Sequence, residues 1–485
     1  MKNKSRYFYL SNLIIFSLLG CKTQKSSTPN VIYIFPDQMR NHAMGFWREA
    51  RFRDAVNFEG DPVHTPNLDR FAKESVVLTS AMSNCPLSSP HRGILLTGMY
   101  PEHSGVPLNC NANRPISSLR EDATCISDVF SQAGYNCAYI GKLHVDCPTP
   151  NDPERPGKYV EDRVPAWDAY TPAERRHGFD YWYSYGTYDV HKHPHYWDTE
   201  GVKHEINEWS PAHEADKAIS YLRNEGNVRD PNKPFFMMVS FNPPHSPYAS
   251  LEDCMEEDYN LYKDLPLDSL LIRPNANREM KKAPSVRYYF ASVTGVDRAF
   301  GRILDELKKQ GLDKNTPFIV RFPGKVIPRI DSELLLSSPD IMPTILGLCG
   351  LEKQIPATVE GRNYAGRFTG EDSSVPLRLG ALYIKNIDGE KDADGKVISY
   401  FPVSRWIKTH QYTMSLTIDR KTKELKDILL FNDLEDPYQM QNLPWQENKG
   451  IVSDLCKQMV PLLKEADDPW YKEQILKELI PYGKE

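Results

Sequence analysis

The sequence predicts an α/β protein: a mostly parallel sheet sandwiched by helices, followed by a smaller C-terminal antiparallel β subdomain with a helix of its own. Three observations predict it. Residues 30–35 (NVIYIF) and 234–241 (PFFMMVSF) are continuous apolar runs, the pattern of strands covered on both faces of a parallel sheet. Helical patterns lie between and after them. One spans 126–134 and ends in Gly134, one spans 212–222, and a long face of Val293, Val296, Phe300, Ile303, Leu304 and Leu307 closes at Gly311. Past a polar boundary at 370–374 the pattern changes. Residues 405–409, 412–418 and 428–431 read as strands at hairpin spacing around a charged turn at 420–423, and 451–466 reads as a final helix.

Length and composition fit that division. A chain of 485 residues, 40% hydrophobic and 26% charged, has material for a large core and two unequal domains. A net charge of -6 and a pI near 6.2 argue against nucleic acid as a partner. The start reads as a leader: basic residues, then an apolar run at 13–19 too short to span a membrane. Leu18-Leu19-Gly20-Cys21 resembles a bacterial lipoprotein box, with Cys21 as the lipidated N-terminus of an exported protein. Expected units are therefore a signal peptide at 1–21, a polar tether at 22–29, a main domain at 30–372 and a C-terminal α+β subdomain at 373–485. The other eight cysteines show no CxxC spacing and no cluster with histidine, so they read as buried side chains and not as a zinc site.

Each element then places a group with chemistry. The strand at 30–35 runs into Pro36-Asp37-Gln38, which puts a carboxylate past the C-terminal end of a strand, where open α/β sheets hold ligands. A helix is expected from Thr65-Pro66, and a strand over 75–82 delivers the chain to Ser88-Ser89-Pro90-His91-Arg92-Gly93-Ile94-Leu95-Leu96-Thr97-Gly98. There a small polar start leads into an apolar helix, so Ser88 sits where backbone N–H groups and the helix dipole favour an anion, and Arg92 adds a cation one turn on. The bland alternative is an N-cap serine before a core helix. After the helix at 126–134, a strand at 136–140 leads into Gly141-Lys142-Leu143-His144, whose Lys142 and His144 point the same way if the strand continues. The strand at 234–241 ends in Asn242-Pro243-Pro244-His245-Ser246-Pro247, where flanking prolines fix His245. Between these, 181–197 carries His191, His193 and His195 among Tyr and Trp; a metal cluster and a substrate-facing aromatic insert are both open, the insert being preferred.

In their order these motifs resemble the formylglycine-dependent sulfatases of the alkaline-phosphatase-like superfamily. Ser88, Pro90, Arg92, Thr97 and Gly98 fall in register with that signature, whereas a start at Cys85 would put Ser89 where Arg is required. The resemblance implies that Ser88 is oxidised to formylglycine, in the serine-type case by an oxygen-independent radical enzyme, and that Arg92, Lys142, His144 and His245 complete the catalytic set. It implies a calcium or other divalent ion on Asp37 and the position of Gln38, touching residue 88, and a sulfated carbohydrate as substrate. The lipoprotein-type start, in turn, leads to the expectation of a lipoprotein in the periplasm or outer membrane of a Gram-negative bacterium, touching the membrane only through lipid on Cys21. A phosphatase or phosphonate hydrolase of the same fold, and a glycan-binding lipoprotein without turnover, stay open beside it.

The resemblance breaks once. Thr316 joins directly to Pro317-Phe318-Ile319-Val320-Arg321-Phe322-Pro323-Gly324, where relatives carry a few dozen further residues with the remaining metal ligands and a second sulfate-binding lysine. Asp392-Ala393-Asp394-Gly395 is no substitute: it reads as a hairpin turn. As written the chain is expected to bind a divalent cation poorly. The match resumes with a capped helix starting at Ser337-Ser338-Pro339-Asp340.

Overall fold

The computed structural model describes residues 28–148, 165–279, 282–316, 321–371 and 374–480. The leader, Cys21 and the tether up to residue 27, junction residues 317–320 and the expected domain boundary at 372/373 lie outside the described residues.

The main sheet has six strands: β1 (Val31–Pro36), β2 (Asn136–Lys142), β3 (Tyr181–Tyr185), β4 (His195–Asp198), β5 (Lys203–Glu205) and β6 (Phe235–Phe241). Their spatial order is β1-β6-β2-β3-β4-β5. The first three contacts are parallel and the last two antiparallel. Both faces are apolar, because alternate residues of each strand meet a different helical layer. On one face Val31, Tyr33, Tyr139, Phe236 and Met238 pack with α1 (Ser88–Thr97), α2 (Ile126–Gln132) and, later in the chain, Met342 and Ile345. On the other, Ile32, Ile140, Met237 and Val239 pack against α3 (Ser210–Arg223) and α4 (Val286–Lys309). That is the expected sandwich.

Two short parallel ladders extend the main domain. Val76–Leu78 pairs with Arg329–Asp331, and Ala81–Met82 with Leu336–Ser337, so the expected strand at 75–82 is split at Thr79-Ser80. The capped helix follows as α5 (Ile341–Leu348), with Ser337 and Asp340 forming the capping box ahead of it. The C-terminal sheet is an antiparallel meander of β7 (Ala381–Asp388), β8 (Tyr400–Lys408), β9 (Tyr412–Ile418) and β10 (Leu425–Asn432). It packs on α6 (Lys449–Glu465) through Ile407, Met414, Leu416, Leu455 and Met459, a core that also takes in Cys85, Ile94 and Tyr100 of the main domain. β7 adds a strand the sequence pattern did not announce. Asp392 to Gly395 forms the tip of a hairpin, as expected.

One expectation is overturned here. The aromatic stretch at 181–197 is not an insert: it supplies β3 and part of β4, with Tyr183, Tyr185, Tyr196 and Trp197 buried against one another, and only its turn, through Tyr188 and Asp189, reaches Asn242 and His245. Nor do its histidines share a metal. His195 meets Asp168 at 2.7 Å, His191 lies 3.7 Å from Asp253, and the exposed His193 lies 3.7 Å from Glu252. Among the described residues the eight cysteines are free, seven of them buried, and no helix is long and apolar enough to cross a membrane.

Candidate active site

Parallel pairing sets the site. Pro36 pairs with Phe241, and Gly141 with Ser240, so the chain leaves β1, β6 and β2 at one edge and Asp37, Asn242 and Lys142 emerge side by side. Gly141 makes the close approach possible. Its φ is +98°, and a Cβ there would stand 2.2 Å from the Ser240 carbonyl oxygen. Helix α1 aims its N-terminus at the same point, with Ser88 as its first residue and Gly98 ending it in the left-handed conformation.

Three donors converge on one oxygen. Asp37 Oδ2 accepts from Lys142 Nζ at 2.7 Å, from Arg92 Nη2 at 3.2 Å and from Ser88 Oγ at 3.2 Å. Arg92 is buried, donating Nη1 to the Lys142 carbonyl at 2.6 Å and to Ser240 Oγ at 2.7 Å while lying over the Phe35 ring. Lys142 is also buried, and donates to Asn242 Oδ1 at 3.0 Å. Asn242 is oriented in turn, since its Nδ2 donates to the Tyr188 carbonyl at 3.0 Å. Burial alone would raise the Asp37 carboxyl, but Lys142, Arg92 and His245 hold it well below the usual carboxylate range. Burial draws Lys142 down from the ordinary lysine value, with Asp37 opposing.

The two histidines stand differently. His245 lies past β6; its Nδ1–H donates to the Ser246 carbonyl at 2.7 Å, and Asp189 is 3.5 Å away. The expectation for His144 needs correcting. β2 ends at Lys142, and His144 has φ +50°, so it is placed by a turn and not by strand alternation. Its Nε2–H donates to the Cys110 carbonyl at 3.0 Å, and its buried Nδ1 has no hydrogen-bond partner among the described residues. Burial, then the Lys142 cation, pull both rings below the ordinary histidine value, His144 far below it. The Cys110 peptide also donates its N–H to Ser89 Oγ at 2.9 Å, which ties the His144 support to the start of α1. Asn242, Ser240 and the Cys110 backbone were not foreseen from sequence, because each enters through register or a turn and not through a motif. The doublet Asn242-Pro243 before His245 was the one available signal.

These residues do not fit a hard divalent cation. Calcium takes about six to eight oxygen ligands. Here Asp37 spends its inner oxygen on two cations, Gln38 is exposed, and the Asn242 oxygen is spent on Lys142. Among the described residues the one cluster of three metal-type ligands is Cys125, Asp128 and His177, where Cys125 and Asp128 cap the first turn of α2.

The sulfatase family profile matches residues 29–322. The chain belongs to the sulfatase family. It is thereby a sulfuric ester hydrolase by descent, and nearly full-length relatives agree. It is 63% identical over 509 residues to the Endo-4-O-sulfatase of Bacteroides thetaiotaomicron, covering 98% of this chain and 100% of that one. A solved structure from work on glycosaminoglycan metabolism by the same bacterium is 65% identical with TM-score 0.92, covering 94% of this chain and 100% of that chain. A putative sulfatase of Bacteroides fragilis is 31% identical with TM-score 0.77, covering 93% and 99%. The first alignment runs over 509 residues, more than the 485 of this chain, so that sulfatase carries stretches with no counterpart here.

Proposed function

We propose that this sulfatase removes 4-O-sulfate groups from within a sulfated glycan chain of the glycosaminoglycan class, with Ser88 as the residue converted to formylglycine. The observation that carries the sulfate-ester reading is the meeting of Ser88, Lys142 and Arg92 at Asp37, two buried cations beside the start of a helix. The 4-O position and the internal site of attack rest on the 63% identity to the Endo-4-O-sulfatase. Ser88 fits the modification: it is half-buried at the first helical position with its hydroxyl turned to the cations' shared carboxylate. Once formed, the hydrated aldehyde supplies two hydroxyls on one carbon, which answers the weakness of a bare serine as nucleophile and the lack of an exit from a sulfated ester.

The chain's own groups do the rest. Lys142 and Arg92 stabilise the charge on sulfate oxygens as the bond to the alcohol stretches. His245 has its Nδ1–H spent on Ser246, so Nε2 is the atom that takes a proton and passes it to the departing alcohol. His144 has its Nε2–H spent on Cys110, so its buried Nδ1 is the lone pair that accepts a proton when the sulfated intermediate collapses. No step is assigned to a divalent cation. The protein is exported and tethered through lipid on Cys21, so its partners are the glycan, the maturation enzyme and, by the lipid alone, a membrane.

Mass spectrometry of the Ser88 peptide from the native host, with sulfate release from 4-O-sulfated glycosaminoglycan oligosaccharides, tests the proposal. An aldehyde at Ser88 with sulfate release is expected. An unmodified serine there would rule the mechanism out, and release from phosphate esters alone would favour the phosphatase reading. The arrangement at Asp37 favours one second reading, binding of the glycan without turnover, whose mark is retention of the oligosaccharide with no sulfate released.

A further inference from the structure

We propose that in this chain Lys142 is the cation that neutralises Asp37, and that the site holds an oxyanion, sulfate in the first instance, without any divalent metal. The inference deepens the sulfate-ester reading and rests on it. Asp37 Oδ2 lies 2.7 Å from Lys142 Nζ and 3.2 Å from Arg92 Nη2, with both cationic side chains at most 3% exposed. Each cation is anchored by a further hydrogen bond. Lys142 is held from its far side by Asn242 at 3.0 Å, and Arg92 by Ser240 and the Lys142 carbonyl. A doubly charged ion on that carboxylate would face two fixed positive charges across a poorly screened space. Junction residues Pro317-Phe318-Ile319-Val320 bring no carboxylate to change the balance. At Ser88 itself the two cations outweigh Asp37 by one positive charge; Asp189, half exposed beyond His245, offsets part of it, and His245 adds a positive charge when protonated. A surplus of that sign at a helix start, with Ser88 half-buried and reachable, is what a tetrahedral anion needs.

The two ways of holding sulfate give opposite signs on removal of Asp37. If a metal on Asp37 carried the anion, Asp37→Asn would abolish binding. If Lys142 is the internal counter-cation, Asp37→Asn frees its charge and tightens sulfate binding, by about tenfold for one buried charge near another. Lys142→Met should weaken it by a similar factor and, by emptying the cation's place on Asp37, let calcium raise the melting temperature.

The test is isothermal titration of chelator-treated protein at pH 6 with inorganic sulfate, with and without calcium chloride, for the wild type and Asp37→Asn. Binding without calcium that tightens in Asp37→Asn is expected. Binding only in the presence of calcium overturns the proposal and leaves the sulfate-ester reading standing; no sulfate binding in either condition overturns both. If Lys142→Met fails to fold, the wild type and Asp37→Asn alone decide the sign.

Discussion

Arg92 shows why the site depends on side-chain type and not on charge alone. Its guanidinium meets three acceptors in three directions: Asp37, the Lys142 carbonyl and Ser240. A lysine ammonium cannot span them in one plane, so Arg92→Lys leaves at least one buried acceptor unmet. That substitution should cost about 2–4 kcal/mol in urea denaturation and lower turnover of a sulfate ester at least about a hundredfold. A variant as stable as the wild type would show that the fork is not needed. A second expectation concerns protons. Burial comes first among the causes that hold His245 below the ordinary histidine value, and the Lys142 cation comes next, while Asp37 opposes them. Removing the cation in Lys142→Met leaves Asp37 to pull the other way, so the His245 pKa should rise, read from its ring proton by NMR titration. Because the folded value lies below that of a free histidine, His245 favours the folded state above the free-histidine pKa, and that contribution is lost as pH falls through the folded value. In the variant the loss narrows. Residue by residue, Asp37, Ser88, Arg92, Lys142 and His245 were legible, because motif order fixes what stands at the end of each strand. His144 was legible as a residue but not in its conformation, since nothing in Leu143-His144-Val145 announces a positive φ.

At the level of the element, the site is a consequence of where three parallel strands stop. Apolar runs made β1 and β6 readable as strands covered on both faces, although β1 stands at the edge of the described sheet and not at its centre. The register between them was not readable, and it is register that sets Asn242 beside Lys142. Gly141 carries the tightest constraint. A methyl there would meet the Ser240 carbonyl oxygen at 2.2 Å, in a backbone conformation with φ +98° that alanine resists. Gly141→Ala should therefore force β2 from β6 and turn Lys142 away from Asp37, costing about 3 kcal/mol or more. The check is a chemical melt combined with sulfate titration: both should fail together, and a stable variant with normal binding would contradict the packing described. The aromatic segment was misread for a physical reason. Alternating Tyr and Trp look like an exposed sugar platform until β4 is known to bring Tyr196 and Trp197 against Tyr183 and Tyr185, and one sequence cannot show which side chains cover a strand.

Across the whole molecule the question is what the junction at Thr316 and Pro317 costs. Among the described residues β1 has a strand neighbour on one side only, β6. Near its C-terminal end lies a cavity of about 280 Å³ walled by Ile34, Met39, Met44, Leu68, Phe71 and Phe300 among others, an apolar space beside the uncovered edge of β1. Motif order in the sequence leads to the expectation of an interruption at this junction, and the alignment with the Endo-4-O-sulfatase spans more positions than this chain has residues. What no sequence pattern could give was the pairing of the remaining groups, with Lys142 on Asp37 at 2.7 Å. Grafting the residues that this relative carries at the junction between Thr316 and Pro317 should do two things. It should cover apolar surface; on the order of 100 Å² at about 25 cal/mol per Å² is worth about 2–3 kcal/mol, or a rise of a few degrees in melting temperature. It should also supply oxygen ligands that compete with Lys142 for Asp37, so calcium, without effect on the melting temperature of the natural chain, should raise that of the graft. The two readouts separate the two roles of the gap. A graft that melts higher but ignores calcium would mean that the missing stretch is structural and that Lys142 keeps its place on Asp37. A graft that changes neither would mean that the cavity and the gap are unrelated, and that β1 is a natural edge of this sheet.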